Sequence, residues 1–132
     1  MVTRPKILCI DDDPGITRSI CLRLACFDVD VLSAASSTDG IWIALNTRPD
    51  VIITDLRMPD GGGDYLAECL QGRLDTCDIP VIVLTGKTDY ETERWMQLLG
   101  VKVYLRKPAS LAKLQSALEQ YIQLRAYDQS PV

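Results

Sequence analysis

Five short apolar runs punctuate the chain, and each is followed by a polar break and then a segment of helical periodicity or turn formers. The runs are Ile7 to Ile10, Val29 to Ala34, Val51 to Thr54, Val81 to Leu84 and Val101 to Leu105. They are too short for buried helices and rich in β-branched residues, so they read as strands covered on both faces. Between them lie helical patterns. From Pro14, Ile16, Ile20 and Leu24 recur at helical spacing, with Pro14 suited to a first turn. Ser36 or Ser37 can cap a helix over Thr38 to Asn46, with Ile41, Ala44 and Leu45 on its apolar face, and Pro49 breaks it. A turn-rich stretch from Met58 to Gly63 leads into a helix around Tyr65 to Leu70. A fourth helix over Tyr90 to Leu99 stops at Gly100, a plausible C′ glycine. The last, Ser110 to Arg125, carries Leu111, Leu114, Leu118, Tyr121 and Ile122 on one face, and a frayed tail is expected from Ala126 to Val132. Strand and helix in regular alternation predict an α/β domain with one parallel sheet between helical layers.

Composition narrows the class. A chain of 132 residues suits one domain, and 47% hydrophobic against 24% charged residues is the balance of a globular core rather than of disorder. No apolar run approaches the roughly 20 residues of a membrane span, and Ile7 to Ile10 gives way to three aspartates, so neither a membrane anchor nor a signal peptide is expected. A formal net charge of −4 argues against direct nucleic-acid binding. Histidine is absent, and the five cysteines (Cys9, Cys21, Cys26, Cys69 and Cys77) form no CxxC pair. A zinc site and Ser–His or Cys–His catalysis drop out. The cysteines read as small buried hydrophobes in a reducing cytoplasm.

In a parallel sheet, ligands gather at the C-terminal ends of the strands. Here those ends carry nearly all the chemistry. The first strand runs into Asp11, Asp12 and Asp13, the third into Asp55, the fourth into Thr85 and Gly86, and the fifth is followed by Lys107 and Pro108. Taken singly, each is bland: aspartates cap helices, Thr-Gly makes turns, and Lys-Pro says little. The weight lies in four strand ends converging on one rim. Two carboxylates about 4 Å apart repel by roughly 4 kcal/mol at an effective dielectric near 20. One lysine compensates only in part. A hard cation with oxygen ligands, Mg²⁺ before zinc or copper, completes the neutralisation. Carboxylate, cation, hydroxyl and ammonium together suit phosphoryl transfer: one Asp attacks phosphorus while Thr85, Lys107 and the cation stabilise the equatorial oxygens.

The segments ILCIDDDP (Ile7 to Pro14), VIITDLRMPDGGG (Val51 to Gly63), VIVLTG (Val81 to Gly86) and VYLRKP (Val103 to Pro108) resemble the receiver domain of two-component response regulators. The resemblance spans Lys6 to about Arg125. It implies a flavodoxin-like, doubly wound (βα)5 fold with a five-stranded parallel sheet of order 2-1-3-4-5. It implies a receiver over residues 1–125, a tail over 126–132 with no output domain, and a chain either stand-alone or excised from a longer protein. Asp55 would accept a phosphoryl group from the phosphohistidine of a sensor histidine kinase or phosphotransfer protein. Asp12, Asp55 and the backbone carbonyl of Arg57 would ligate Mg²⁺, with Asp11 assisting through water. Thr85 would bond the phosphoryl group and move toward it, Lys107 would pair with a phosphoryl oxygen, and the Lys107–Pro108 bond would be cis. Tyr104 stands where the family has its aromatic switch.

The same resemblance implies a signalling domain that catalyses only its own phosphorylation and dephosphorylation. A downstream protein would bind the face of the fourth helix, fifth strand and fifth helix, where Tyr90, Trp95, Tyr104 and Lys113 are readout candidates. Trp95 is equally readable as core packing. Asp13 is as readily a helix cap as a ligand, and the Gly61-Gly62-Gly63 run is expected to be mobile. The cytoplasm is the expected location, and the oligomeric state stays open, a homodimer included. Two other classes compete. Asp11-x-Asp13 faintly resembles haloacid-dehalogenase-type phosphatases, with Asp11 as nucleophile and Asp13 as acid/base, and a phosphorylation-independent interaction domain could share the fold.

Overall fold

The computed structural model describes residues 4–58, 60–86 and 89–127. Strands and helices alternate strictly: β1 (Lys6–Ile10), α1 (Pro14–Leu24), β2 (Asp30–Ala34), α2 (Ser37–Thr47), β3 (Val51–Thr54), α3 (Gly63–Gln71), β4 (Val81–Thr85), α4 (Tyr90–Leu98), β5 (Val103–Arg106) and α5 (Leu111–Glu119). The sheet order is β2-β1-β3-β4-β5 and every pairing within it is parallel. This is the doubly wound order expected from the sequence.

Side-chain alternation explains the two helical layers. Leu8 and Ile10 of β1 face one side with Ile52, Val81 and Val83, and there they meet Ala44 of α2, Leu66 and Leu70 of α3 and Met96 of α4. Ile7 and Cys9 face the other side with Val51, Ile53 and Ile82, against Ile20 and Leu24 of α1 and Leu114 and Leu118 of α5. The central strands β3 and β4 are buried at every position. That is why they read as unbroken apolar runs rather than as alternating ones.

Helix starts follow the capping residues. Asp13 accepts from the Gly15 amide at 2.9 Å with Pro14 opening α1. Ser36 accepts from Asp39 at 3.1 Å, Asp89 from Thr92 at 2.8 Å and Ser110 from Lys113 at 3.1 Å. Each takes one amide that the first turn leaves without an intrahelical partner.

Three expectations are corrected. The last helix does not run to Arg125; α5 ends at Glu119 with Gln120 as its cap. Tyr121, Ile122 and Leu124 still pack on the α1/α5 core, which is why the apolar period continues past the helix. The chain then turns back along the α1–β2 loop. Asp28 donates to the Arg125 carbonyl at 2.7 Å, Tyr127 to that of Cys26 at 2.8 Å, and Phe27 and Ala126 form an antiparallel bridge. The expected fraying of the tail therefore does not hold for 126–127, and 128–132 lie outside the described residues. The cysteines also divide: Cys9 is buried, Cys26 is exposed, and Cys21, Cys69 and Cys77 are intermediate. Burial pushes the Cys9 thiol far above its ordinary pKa, with Cys21 and Asp11 adding to the effect.

At Gly40 the backbone of α2 comes close to the sheet. A Cβ placed there would overlap Cδ1 of Ile10 and lie 2.9 Å from its Cγ1. Ile10 is 1% exposed and has nowhere to move. Gly40→Ala is expected to lower the unfolding free energy by about 1–3 kcal/mol, as overpacking does, measured by urea denaturation. An unchanged midpoint would contradict the close approach.

Candidate functional site

Strand register brings the acidic residues together. Ile10 pairs with Thr54, so Asp11 and Asp55 are the next residues of adjacent parallel strands, and the Asp55 amide donates to the Ile10 carbonyl at 3.0 Å. Thr85 pairs with Arg106 at the end of β4 and β5, and the Lys107 amide donates to the Thr85 carbonyl at 2.7 Å. From there the Lys107 side chain crosses β4 and β3. Its Nζ lies 2.7 Å from Asp11 Oδ2 and 3.1 Å from Asp55 Oδ2. The Lys107–Pro108 bond is cis.

Each carboxylate is held from a second side. Asp11 accepts the Asp13 amide at 2.9 Å, and Asp55 Oδ1 accepts the Leu56 amide at 2.7 Å. Asp11 is nearly buried, at 5% side-chain exposure, whereas Asp55 keeps 15%. Burial pushes the Asp11 carboxyl above its usual range, and the Lys107 and Asp13 hydrogen bonds pull it back only in part. Burial works against the charge of Lys107, but its bonds to Asp11 and Asp55 prevail and its pKa is raised.

Asp11, Asp12 and Asp55 each offer a carboxylate oxygen, and these oxygens lie within 4.8 Å of one another. Three hard anionic oxygens at that spacing, with a single ammonium beside two of them, are a donor set for a hard divalent cation. Asp13 stands outside this group; its carboxylate caps α1. Its position favours the cap over the ligand.

Thr85 is 2% exposed at the end of β4. Apart from its chain neighbours, no described residue has an atom within 4 Å of a Cβ built on the adjacent Gly86. Tyr104 is half-buried and packs against the core layer that includes Met96 of α4. Burial raises its phenol pKa, with Asp89 and Glu93 adding to the effect and Arg57 opposing it. Beside the Asp55 loop a cleft of about 480 Å³ opens between that loop and α4, lined among others by Arg57, Asp64, Glu91 and Trp95. Trp95 is 54% exposed and Tyr90 75%, so neither serves the core alone.

One set of contacts had no signal in the sequence. Asp60, which reads there only as a turn former, accepts the amides of Ser37 at 3.2 Å and Thr38 at 2.9 Å. Ser37 Oγ donates to the Gly61 carbonyl at 2.6 Å. The partners are more than twenty residues apart, beyond any local pattern. The glycine run is likewise built for closeness. Gly61 has φ +118°, a Cβ on Gly62 would overlap the Leu56 carbonyl oxygen, and the Gly63 amide donates to that same oxygen at 2.8 Å. These bonds tie the described residues on either side of position 59 to α2 and to Leu56 and Met58.

Comparison with known proteins agrees with this geometry. The response regulator receiver domain profile matches residues 7–119. Protein PilH of Pseudomonas aeruginosa is 35% identical over 104 residues, covering 78% of this chain and 85% of PilH. The DNA-binding dual master transcriptional regulator RpaA of Synechocystis is 32% identical over 83% of this chain, which spans 46% of RpaA. Several other curated relatives are likewise about twice as long as the matched region or longer. Among solved structures, the chemotaxis protein CheY4 of Vibrio cholerae superposes with a TM-score of 0.85 at 25% identity, covering 91% of this chain and all of that one.

The lysine bridge has a definite pH signature. A lysine whose folded pKa is raised contributes stability below its unfolded value near 10.5 and loses it as pH rises through the folded value. The stability difference between the wild type and Lys107→Ala is expected to be steady between about pH 6 and 9 and to shrink above about 10.5. Urea titrations across that range check it. A difference that grows with alkaline pH would contradict the bridge.

Proposed function

The chain belongs to the response regulator receiver domain family, and from that premise we propose that Asp55 is its phosphoacceptor. The supporting observation is the placement of one lysine ammonium within hydrogen-bond reach of Asp55 and Asp11 at the rim where Asp12 also converges. A carboxylate oxygen of Asp55 attacks the phosphorus of a phosphohistidine on a sensor histidine kinase or phosphotransfer protein. The new P–O bond forms as the P–N bond breaks, and the imidazole leaves with the electron pair and takes a proton.

Asp11, Asp12 and Asp55, with the Arg57 carbonyl, would hold Mg²⁺, which when bound neutralises charge on the transferring phosphoryl oxygens. Lys107 already pairs with Asp55 and keeps a cation at the place where phosphoryl charge would develop. Thr85, at the end of β4, supplies a hydroxyl to the same rim. The reading makes residues 1–125 a receiver acting in the cytoplasm, and its chemistry is confined to its own phosphorylation and dephosphorylation.

Switching follows from charge. An aspartyl phosphate adds negative charge and three acceptor oxygens at a rim already crowded with carboxylates. The arrangement that brings Thr85 and Lys107 onto those oxygens is favoured, and the population shifts toward it. Tyr104 lies on β5, three residues before Lys107, and Tyr90 and Trp95 are exposed on α4. It would couple the site to the α4–β5–α5 face, where a downstream protein or a second copy would read the state.

Incubation with Mg²⁺ and acetyl phosphate, followed by intact-mass measurement, is expected to show one added phosphoryl group. The adduct should vanish with chelator and in Asp55→Ala. Persistence of the adduct in Asp55→Ala would overturn the assignment.

A further inference from the structure

We infer that Asp60 and Ser37 are positioning residues for the metal-binding half of the site, and that the first turn of α2 is thereby energetically coupled to Mg²⁺. The inference rests on the proposed metal site and deepens it. A helix leaves its first amides without intrahelical partners. In α2 these are taken up as follows: Ser36 Oγ accepts from Asp39, and the Ser37 and Thr38 amides both go to the carboxylate of Asp60, while Gly40 makes the first intrahelical bond to the Ser36 carbonyl. The negative charge of Asp60 thus sits at the positive end of the helix macrodipole. Those contacts hold its pKa below the usual carboxylate range although the side chain is exposed.

Asp60 is the third residue after Arg57 along the loop that leaves β3. The far end of that loop is closed on its near end. The Gly61 amide donates to the Met58 carbonyl at 3.2 Å and the Gly63 amide to the Leu56 carbonyl at 2.8 Å. Gly62 is packed so tightly on Leu56 that no side chain fits. The buried Ser37, 0% exposed, adds its hydroxyl to the Gly61 carbonyl at 2.6 Å. Residues 56–58 and 60–63 are therefore closed on one another and pinned to α2 by three hydrogen bonds. The Arg57 backbone, the proposed neutral metal ligand, rides on that loop. Releasing the pin lets the tip leave α2, and the carbonyl must then be ordered at the moment the cation binds.

By linkage, whatever the pin contributes to Mg²⁺ affinity, Mg²⁺ returns to the pin. Cation binding is expected to slow hydrogen exchange at the Ser37 and Thr38 amides, which lie outside the proposed ligand set.

The test is calorimetric Mg²⁺ titration of the wild type, Asp60→Ala, Asp60→Asn and Ser37→Ala, together with amide exchange with and without Mg²⁺. Asp60→Ala is expected to weaken Mg²⁺ binding about tenfold, in line with other residues that orient metal ligands. Asp60→Asn, which retains an acceptor oxygen, should recover part of the loss. The Mg²⁺-induced protection of residues 37 and 38 should disappear in Asp60→Ala. Variants that lose thermal stability while keeping wild-type Mg²⁺ affinity would overturn the inference, because the pin would then be structural only. Asp55→Asn separates the two readings. If the wild type binds no Mg²⁺, or if Asp55→Asn binds it as well as the wild type does, the metal site itself is wrong. If Asp55→Asn binds weakly and Asp60→Ala binds normally, only the pin fails.

Discussion

Carboxylate crowding at the rim is the constraint around which the rest of the molecule is arranged. Parallel pairing of β1 with β3 puts Asp11 beside Asp55, and nothing in a parallel sheet can separate them without breaking register. The repulsion is offset by Lys107, which arrives from the far side of β4 and can do so only because β5 is the fifth strand in the order. A single ammonium between two partly dehydrated carboxylates is an incomplete neutralisation, and Asp12 adds a third anionic oxygen at the same place. The fold thus holds a rim with more anionic oxygens than ammonium groups to balance them.

The apolar layers make that tension sustainable. β1, β3 and β4 are buried on both faces, and the side chains beneath the rim (Ile10, Ile53, Val83 and Leu84) are nearly inaccessible. Burying a large aliphatic side chain contributes about 1.5–3 kcal/mol, so a few such residues under the site outweigh the local electrostatic cost. Rigid strand ends also keep the carboxylates from relaxing apart. The polar loops above them carry the adaptable parts, Thr85 and Gly86 on one side and the Asp55 loop on the other.

Much of this was legible because it depends on local pattern or on strand ends. Ile7 to Ile10, Val51 to Thr54 and Val81 to Leu84 announce buried strands, and the parallel topology then forces Asp11, Asp55, Thr85 and Lys107 to one rim. Asp89 and Ser110 follow the capping rules. Other features stayed hidden for definite reasons. The apolar period through Tyr121 and Ile122 continues past the end of α5, because those residues meet the same core whether or not the backbone is helical. The Asp60 contact with α2 joins residues whose separation in sequence carries no periodic signal. The glycines after Asp60 resemble a flexible linker in composition, yet they serve backbone approach.

The antiparallel contact between residues 26–28 and 125–127 determines where load enters the molecule. β2 begins at Asp30, on the edge of the sheet opposite the acidic rim. Tension applied at Tyr127 would load the contact with the segment entering β2, beside the Arg4–Asp28 ion pair, as well as the chain leading back to α5. A surface tether or fused cargo joined there would hang beneath the molecule, leaving the acidic rim facing outward.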